Sequence, residues 1–439
     1  MEIVIKVAQF LLSLCILVLL HELGHFLFAR LFHTRVEKFY LFFNPGFSLF
    51  KIKKGETEYG VGWLPLGGYV KIAGMIDESL DTKQLKEPPQ PWEFRAKPAW
   101  QRLLIISGGV FMNFVLALVL YSAILFVWGK EYLPVDNAVY GIAVDSLGYE
   151  AGFRNGDKIL AIDHKKPETF NEVMHALILN EAKTVTVLRN GHDTTFTVPL
   201  WLIEKLIKSD KATFIVPRFP FVVSDFVKNS PAREAGLRKG DKIVGINNEP
   251  VEFFDEFKNK ISACKNSMAT IKVLRGKDTL AFVVNVPATG LVGIYPEGPA
   301  TFFQLKKQTY TLWLSIPAGI REGISTLTSY VGQFKLIFKH RGYESLGSFI
   351  SFTRIFPGEW DWQTFFNLTA FLSIILAFMN VLPVPALDGG YILFILYEII
   401  FRRKPGEKFL EYAQITGMAL LLALLLYATF NDIVRFVLR

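Results

Sequence analysis

His21-Glu22-Leu23-Gly24-His25 closes the apolar run Phe10-Leu11-Leu12-Ser13-Leu14-Cys15-Ile16-Leu17-Val18-Leu19-Leu20 without a break. The unbroken Leu/Ile/Val content predicts a helix. A four-residue spacing then puts the His21 and His25 imidazoles one turn apart on one face, where they can grip one metal ion. Glu22 lies beside them, placed to act on a metal-bound water rather than on the metal. In a soluble helix such a pair reads equally well as two surface histidines. At the end of a membrane-length segment two imidazoles and a carboxylate are costly, and a metal is what rewards them. Catalytic zinc takes three protein ligands and a water, so the pattern calls for a third ligand elsewhere.

The segment from residue 3 to about 32 can span about 30 Å of hydrocarbon at about 1.5 Å per residue. On that rise His21 lies about 27 Å from Ile3, near the far face. Lys6 is the one cation at the near end, whereas Arg30, Arg35, Lys38, Lys51, Lys53 and Lys54 follow the motif. That excess places the motif end on the cytoplasmic side. The segment lacks a basic start and a small-x-small cleavage pattern, and it reads as a retained helix rather than a signal peptide.

Composition agrees with a polytopic membrane chain that carries a sizeable aqueous portion. At 439 residues, 51% hydrophobic and 20% charged, with mean hydropathy +0.31, it is too apolar for an ordinary soluble protein and too charged to lie in lipid throughout. The net charge of +8 is scattered, with no basic block interleaved with aromatics, so no nucleic-acid partner is expected. Cys15 lies in the apolar run and Cys264 far off in a polar region, which argues against a disulfide framework.

Working outward, residues 36–75 read as a small β-region after the first helix, 1–35. Residues 48–53 and 57–63 flank a turn at Lys54-Gly55, and Pro65-Leu66-Gly67-Gly68-Tyr69-Val70-Lys71-Ile72 adds a glycine-rich bend and a third strand. Phe42-Phe43-Asn44-Pro45-Gly46-Phe47 suits a sheet dipping toward the membrane, whether it merely caps the site or acts in it. Residues 76–99 form a polar connector stiffened by Pro88-Pro89-Gln90-Pro91-Trp92. A second membrane helix, 100–128, holds Gly108-Gly109-Val110-Phe111-Met112-Asn113-Phe114. Its small residues permit close helix contact, and Asn113, which needs a partner in lipid, is assigned to packing rather than chemistry.

The aqueous portion contains a repeat. Ala151-Gly152-Phe153-Arg154-Asn155-Gly156-Asp157-Lys158-Ile159 recurs as Ala235-Gly236-Leu237-Arg238-Lys239-Gly240-Asp241-Lys242-Ile243, and Val185-Thr186-Val187-Leu188-Arg189 recurs as Ile271-Lys272-Val273-Leu274-Arg275. Two duplicated α/β modules follow, 132–200 and 215–288, each with a helix near 171–179 or 252–264. Residues 300–362, broken by Pro317, Gly319 and Gly323, read as an interfacial amphipathic region rather than a span. The third membrane helix, 363–400, is followed by Arg402, Arg403, Lys404 and Lys408, so it returns to the cytoplasmic face. A fourth covers 410–432.

The third helix carries the missing ligand. In Asn380-Val381-Leu382-Pro383-Val384-Pro385-Ala386-Leu387-Asp388-Gly389-Gly390 the prolines break the helix near the cytoplasmic face, which only a protein-lined or watered cavity tolerates at that depth. Asp388 arrives at the level of the two histidines, where a zinc ion would stabilise its charge. The competing assignment is a helix cap at Asp388 and a turn at Gly389-Gly390. His33, His164, His175, His192 and His340 have no comparable company and are taken as surface residues.

With HELGH at 21–25, PLGGYVKI at 65–72, GGVFMNF at 108–114, the two AGxRxGDKI repeats and NxxPxPxLDGG at 380–390, the chain resembles the site-2 protease family of intramembrane zinc metalloproteases, in its bacterial regulator-of-sigma-E protease form with tandem PDZ domains. The resemblance implies a polytopic α-helical membrane protein with four transmembrane helices, a membrane-reentrant β-region and two inserted PDZ-like α/β domains. It implies zinc on His21, His25 and Asp388, Glu22 as general base, Asn380 on the substrate backbone or oxyanion, and Gly67, Gly68 and Tyr69 near the cleavage cleft. Expected partners are the lipid bilayer, single-span membrane proteins such as anti-sigma factors or leftover signal peptides, and extracytoplasmic peptide tails bound by the PDZ domains. The expected location is the bacterial inner membrane. A non-catalytic PDZ scaffold is the alternative, and it needs none of His21, Glu22, His25 and Asp388. A protease for soluble cytoplasmic peptides is a third reading.

Overall fold

The computed structural model describes residues 1–65, 67–75, 88–208, 214–339 and 349–436. Leu66, residues 76–87 of the expected connector, and His340 lie outside them. The chain divides into two units, one built from Met1–Gly129, Thr309–Lys335 and Tyr343–Arg439, the other from Lys130–Gln308 and Leu336–Gly342.

In the first unit α1 (Glu2–Leu31) is a single unbroken helix. It feeds a four-stranded sheet of β1 (Val36–Leu41), β2 (Phe50–Lys54), β3 (Thr57–Val61) and β4 (Tyr69–Ile72), ordered β2-β3-β1-β4. Three strands are expected from the sequence; the fourth is β1, which enters directly from α1 and occupies the interior of the sheet. It runs parallel to β3 and antiparallel to β4, leaving β4 as an edge. Phe47, Leu49, Phe50, Ile52 and Trp63 are exposed, and the Phe47 and Trp63 rings stack at 5.8 Å, an apolar surface suited to lipid. The chain then enters α2 (Ala99–Val127). α1 and α2 approach through glycine: a Cβ on Gly24 would fall on the Gly108 carbonyl, and one on Gly109 would fall on the His25 and His21 rings. The close contact expected of the small residues is therefore also what makes room for the imidazoles.

The second unit begins with β5 (Lys130–Tyr132). Its first module contains β6 (Ile142–Val144), α3 (Ser146–Glu150), β7 (Lys158–Ile162), α4 (Phe170–Ile178), β8 (Thr184–Arg189), β9 (His192–Thr197), α5 (Trp201–Lys208) and β10 (Ile215–Pro217). The second contains β11 (Val223–Phe226), α6 (Pro231–Glu234), β12 (Lys242–Ile246), β13 (Glu249–Pro250), α7 (Phe254–Ala263), β14 (Ser267–Arg275), β15 (Asp278–Val286) and β16 (Ile294–Pro296). α8 (Pro299–Phe302) and β17 (Lys306–Gln308) follow, and β17 pairs with β5. The modules share a plan: a main sheet, β7-β8-β9 or β13-β12-β14-β15, beside a two-stranded pair, β10-β6 or β11-β16.

Both modules outrun the expected ends at 200 and 288. Leu202, Phe214 and Ile215 belong to the first core, and Val292 to the second, because α5 and β10 close the first module and β16 the second late in sequence. The repeated motif has one structural use. Asp157 receives Arg189 at 2.8 and 2.7 Å and the Arg154 N–H at 2.8 Å, while Asp241 receives Arg275 at 2.7 and 2.8 Å and the Arg238 N–H at 2.8 Å.

α9 (Leu312–Lys339), most of it in the first unit, is continuous through Pro317, Gly319 and Gly323, where the sequence suggests breaks. Gly319 lies against Ser122, Leu327 joins Ala117, Tyr121, Ala370 and Ile374, and Tyr330 packs edge-on against Phe371 and Phe378. Glycines 319 and 323, which look like breaks in the sequence, are where the helix seats on α2. α10 (Phe349–Ile355) leads to α11 (Trp362–Val381), whose N-terminus is capped by Asp361 accepting from the Thr364 N–H at 3.0 Å. The segment 363–400 divides into two helices at the prolines that the sequence marks as a break. α11 stops before Pro383 and Pro385, and α12 (Asp388–Phe401) starts afresh; a Cβ on Gly389 or Gly390 would meet the Leu382 and Val384 carbonyls of the break. α13 (Glu407–Phe436) is last. Among the described residues four helices are long and apolar enough to cross a membrane: Glu2–Leu31, Ala99–Val127, Trp362–Val381 and Lys408–Val434.

Candidate active site

His21 and His25 sit one turn apart on α1 as the spacing requires, and their ring nitrogens are oriented by α2. His25 Nδ1–H donates to the Ile105 carbonyl at 2.9 Å, which leaves the Nε2 lone pair facing inward. The His21 Nδ1 lies 3.1 Å from the Asn113 side-chain amide. The sequence assigns Asn113 to helix packing; the structure corrects this, since the side chain is fully buried and its amide is spent on a histidine. The i, i+4 spacing of Gly109 and Asn113 held the signal, because the face of α2 that meets the imidazoles at Gly109 meets them again one turn later.

Asp388 completes the group. It is the first residue of α12, whose N-cap position is Leu387 rather than the aspartate. Its Oδ2 lies 3.3 Å from His21 Nε2 and 3.4 Å from His25 Nε2, which are themselves 3.3 Å apart. No hydrogen-bond donor reaches this buried oxygen. Three lone-pair atoms at these separations match an edge of about 3.3 Å for tetrahedral zinc with bonds of about 2.0–2.1 Å, so the residues fit the ion. Among the described residues these are the only three His, Cys, Asp or Glu side chains grouped to hold a metal.

The surrounding cavity is lined by His21, Glu22, His25 and Asp388 together with Tyr69 and Val70 of β4 and Gln414 and Met418 of α13. Glu22 accepts a hydrogen bond from the Val70 N–H, so the edge strand touches the general-base candidate. Tyr69 stacks between Tyr40 and Phe43 at 5.3 and 6.0 Å and donates to Asn44 Oδ1 at 2.9 Å. Gly68 packs on Val18 and Glu22, whereas Gly67 lies against Phe43 and does not line the cavity. Asn380 Nδ2 is 3.3 Å from His21 Nε2. His33, His164, His175 and His192 are exposed, as expected.

The family model for peptidase family M50 matches residues 9–424, from the first third of α1 to the middle of α13. The chain belongs to peptidase family M50. This is the zinc-dependent site-2 protease family, and the chain is a zinc metalloprotease. A Neisseria meningitidis relative whose name calls it a zinc metalloprotease is 27% identical over 97% of this chain and 98% of its own length. One from Vibrio cholerae, similarly named, is 28% identical over 97% and 98%. Protease RseP of Yersinia pestis is 27% identical over 99% of this chain and all of its own. Besides Asn113, sequence reasoning about this M50 peptidase missed Gln414, a polar residue in the last membrane segment whose place at the site depends on how α13 packs.

Proposed function

We propose that the protein hydrolyses peptide bonds within or beside the membrane-spanning helices of single-span membrane proteins. His21, His25 and Asp388 hold the zinc and Glu22 serves as general base. One observation carries this reading: the ligand atoms of the three residues lie within 4.8 Å of one another, in a cavity that also contains Glu22. When bound, zinc supplies Lewis acidity and makes water a nucleophile near neutral pH. Ile105 and Asn113 fix the two imidazoles with Nε2 toward the ion; the Asn113 amide, turned oxygen-first, accepts from His21 Nδ1–H as the Ile105 carbonyl does from His25. Glu22 takes the proton of the attacking water and delivers it to the leaving amine. Asn380 donates to the substrate carbonyl oxygen as charge develops on it.

A helical substrate must unwind to be cut. The edge strand β4 offers main-chain groups to an extended peptide, and Gly67, Gly68 and Tyr69 border its path. The excess of basic residues after α1 and after α12 supports a site near the cytoplasmic face of a bacterial inner membrane. The two modules then lie outside as PDZ domains that bind tails or exclude bulky ectodomains, and anti-sigma factors and leftover signal peptides are the proposed substrates. The test is cleavage of a single-span reporter by the full chain in liposomes. Wild type cuts it and Glu22→Gln does not; equal cutting by both overturns the mechanism.

A further inference from the structure

α13 is the least buried of the four membrane-length helices, with 17% of its most apolar window covered. Gln414, Gly417, Ala428 and Asp432 are its buried positions among residues with described side chains. Gly417 is there for contact, since a Cβ would collide with the Pro385 carbonyl in the break between α11 and α12. That contact seats the helix on the segment leading into Asp388 and turns Gln414, one turn earlier, into the cavity. Asp432 is occupied near the far end, receiving the Ser351 N–H at 3.0 Å and the Ser351 hydroxyl at 2.7 Å. Gln414 is different. It is 6% exposed, lines the cavity with Glu22 and Asp388, and its Nε2 donor has no partner. An amide donor held out of water and unbonded is costly, and costlier at membrane depth, so it persists where something else uses it.

We propose that Gln414 is a substrate-binding residue whose Nε2–H donates to a main-chain carbonyl of the unwound segment, a second hold on the peptide from an element other than β4. This rests on the protease reading above. A transmembrane segment unwound for cutting exposes carbonyls that its own helix no longer satisfies, and in lipid each must find a donor. A side-chain amide serves any residue at that position, as an enzyme facing varied apolar sequences requires. Gln414 touches none of the three metal-ligand side chains in the hydrogen bonds of the site, so its loss leaves the zinc in place.

The test uses the full chain in liposomes with a single-span reporter. Gln414→Leu, which keeps the bulk and removes the donor, is expected to lower kcat/KM about 10-fold, as is Gln414→Glu, which lacks a donor when ionised. Zinc content and thermal midpoint stay at wild-type values; a fall in either that accounts for the loss of cleavage overturns the proposal in favour of a structural role. A series of reporters with single backbone amide-to-ester replacements, each weakening one carbonyl acceptor, supplies the second measurement. One replacement should slow wild type and leave Gln414→Leu unaffected; equal slowing of both enzymes by every ester overturns the proposal. Cleavage that Glu22→Gln abolishes and Gln414→Leu leaves untouched removes this proposal alone, whereas cleavage that survives Glu22→Gln removes the protease reading beneath it.

Discussion

Asp388 and Asp241 are both carboxylates held largely out of water, and they differ in what surrounds them. Asp241, in the second aqueous module, has a side chain 1% exposed and receives Arg275 on both oxygens and the Arg238 N–H as well. Asp157 repeats the arrangement in the first module with Arg189 and Arg154. Asp388, among the membrane helices, faces two imidazole nitrogens and has an oxygen no donor reaches. A buried charge with all its donors fastens a fold; one pointed at other lone pairs is a ligand. The same side chain thus serves structure in one unit and, on the proposed reading, metal binding in the other.

The comparison breaks most readily at the metal. Binding zinc at such a site is worth about 10–16 kcal/mol, and losing one of three ligands removes on the order of 4 kcal/mol, so Asp388→Ala should weaken zinc about 1000-fold in a chelator competition. Retained affinity would mean that Asp388 is a fixture like Asp241. Arg275→Leu attacks the other side: it leaves Asp241 buried and unpaired, and should destabilise the aqueous unit to denaturant by about 3 kcal/mol. That is the low end of the usual range, because Arg275 is itself 27% exposed, and zinc affinity should not change.

Asn113→Leu, which removes the partner of His21 Nδ1, should lower zinc affinity about 10–100-fold, while Asn113→Asp, which keeps an acceptor there, should restore most of it. The smallest effect is with pH. Burial pushes the Asp241 carboxyl up, but Arg275 and the Arg238 N–H more than offset this and hold it below its ordinary value. The folded module therefore binds fewer protons than the unfolded chain below about pH 5. Its contribution is full above that range and is lost as pH falls through the lowered value. Wild type should lose thermal stability between about pH 5 and 3, and Asp241→Asn should show a shallower fall.

Much of this was legible in the sequence, for reasons that differ by region. The His21–His25 pair is legible because four residues make about one helical turn, and Asp388, expected near them from the charge pattern, lies 3.3 and 3.4 Å from their Nε2 atoms. The strand β1 escaped because Val36-Glu37-Lys38-Phe39-Tyr40-Leu41 has no clean alternation; its pairing with β3 and β4 defines it. Gly319 and Gly323 read as breaks in sequence, while against Ser122 and Leu118 they mark contacts inside a continuous α9.

By itself the sequence pointed to the apolar segments, the repeated motif, and the candidate residues His21, Glu22, His25 and Asp388 that the structure brings into one cavity. Each follows from hydrophobic length, repetition, or spacing along one helix, quantities local to the chain. Tertiary structure alone decided which groups share the cavity: the Ile105 carbonyl and Asn113 behind the imidazoles, Val70 on Glu22, and Gln414 opening toward the same space. Those neighbours lie about 50 to 390 residues away from the motif along the chain. They meet because glycines at positions 24, 108, 109 and 417 let backbones approach, and the depth of that approach is a property of packing that no local pattern encodes.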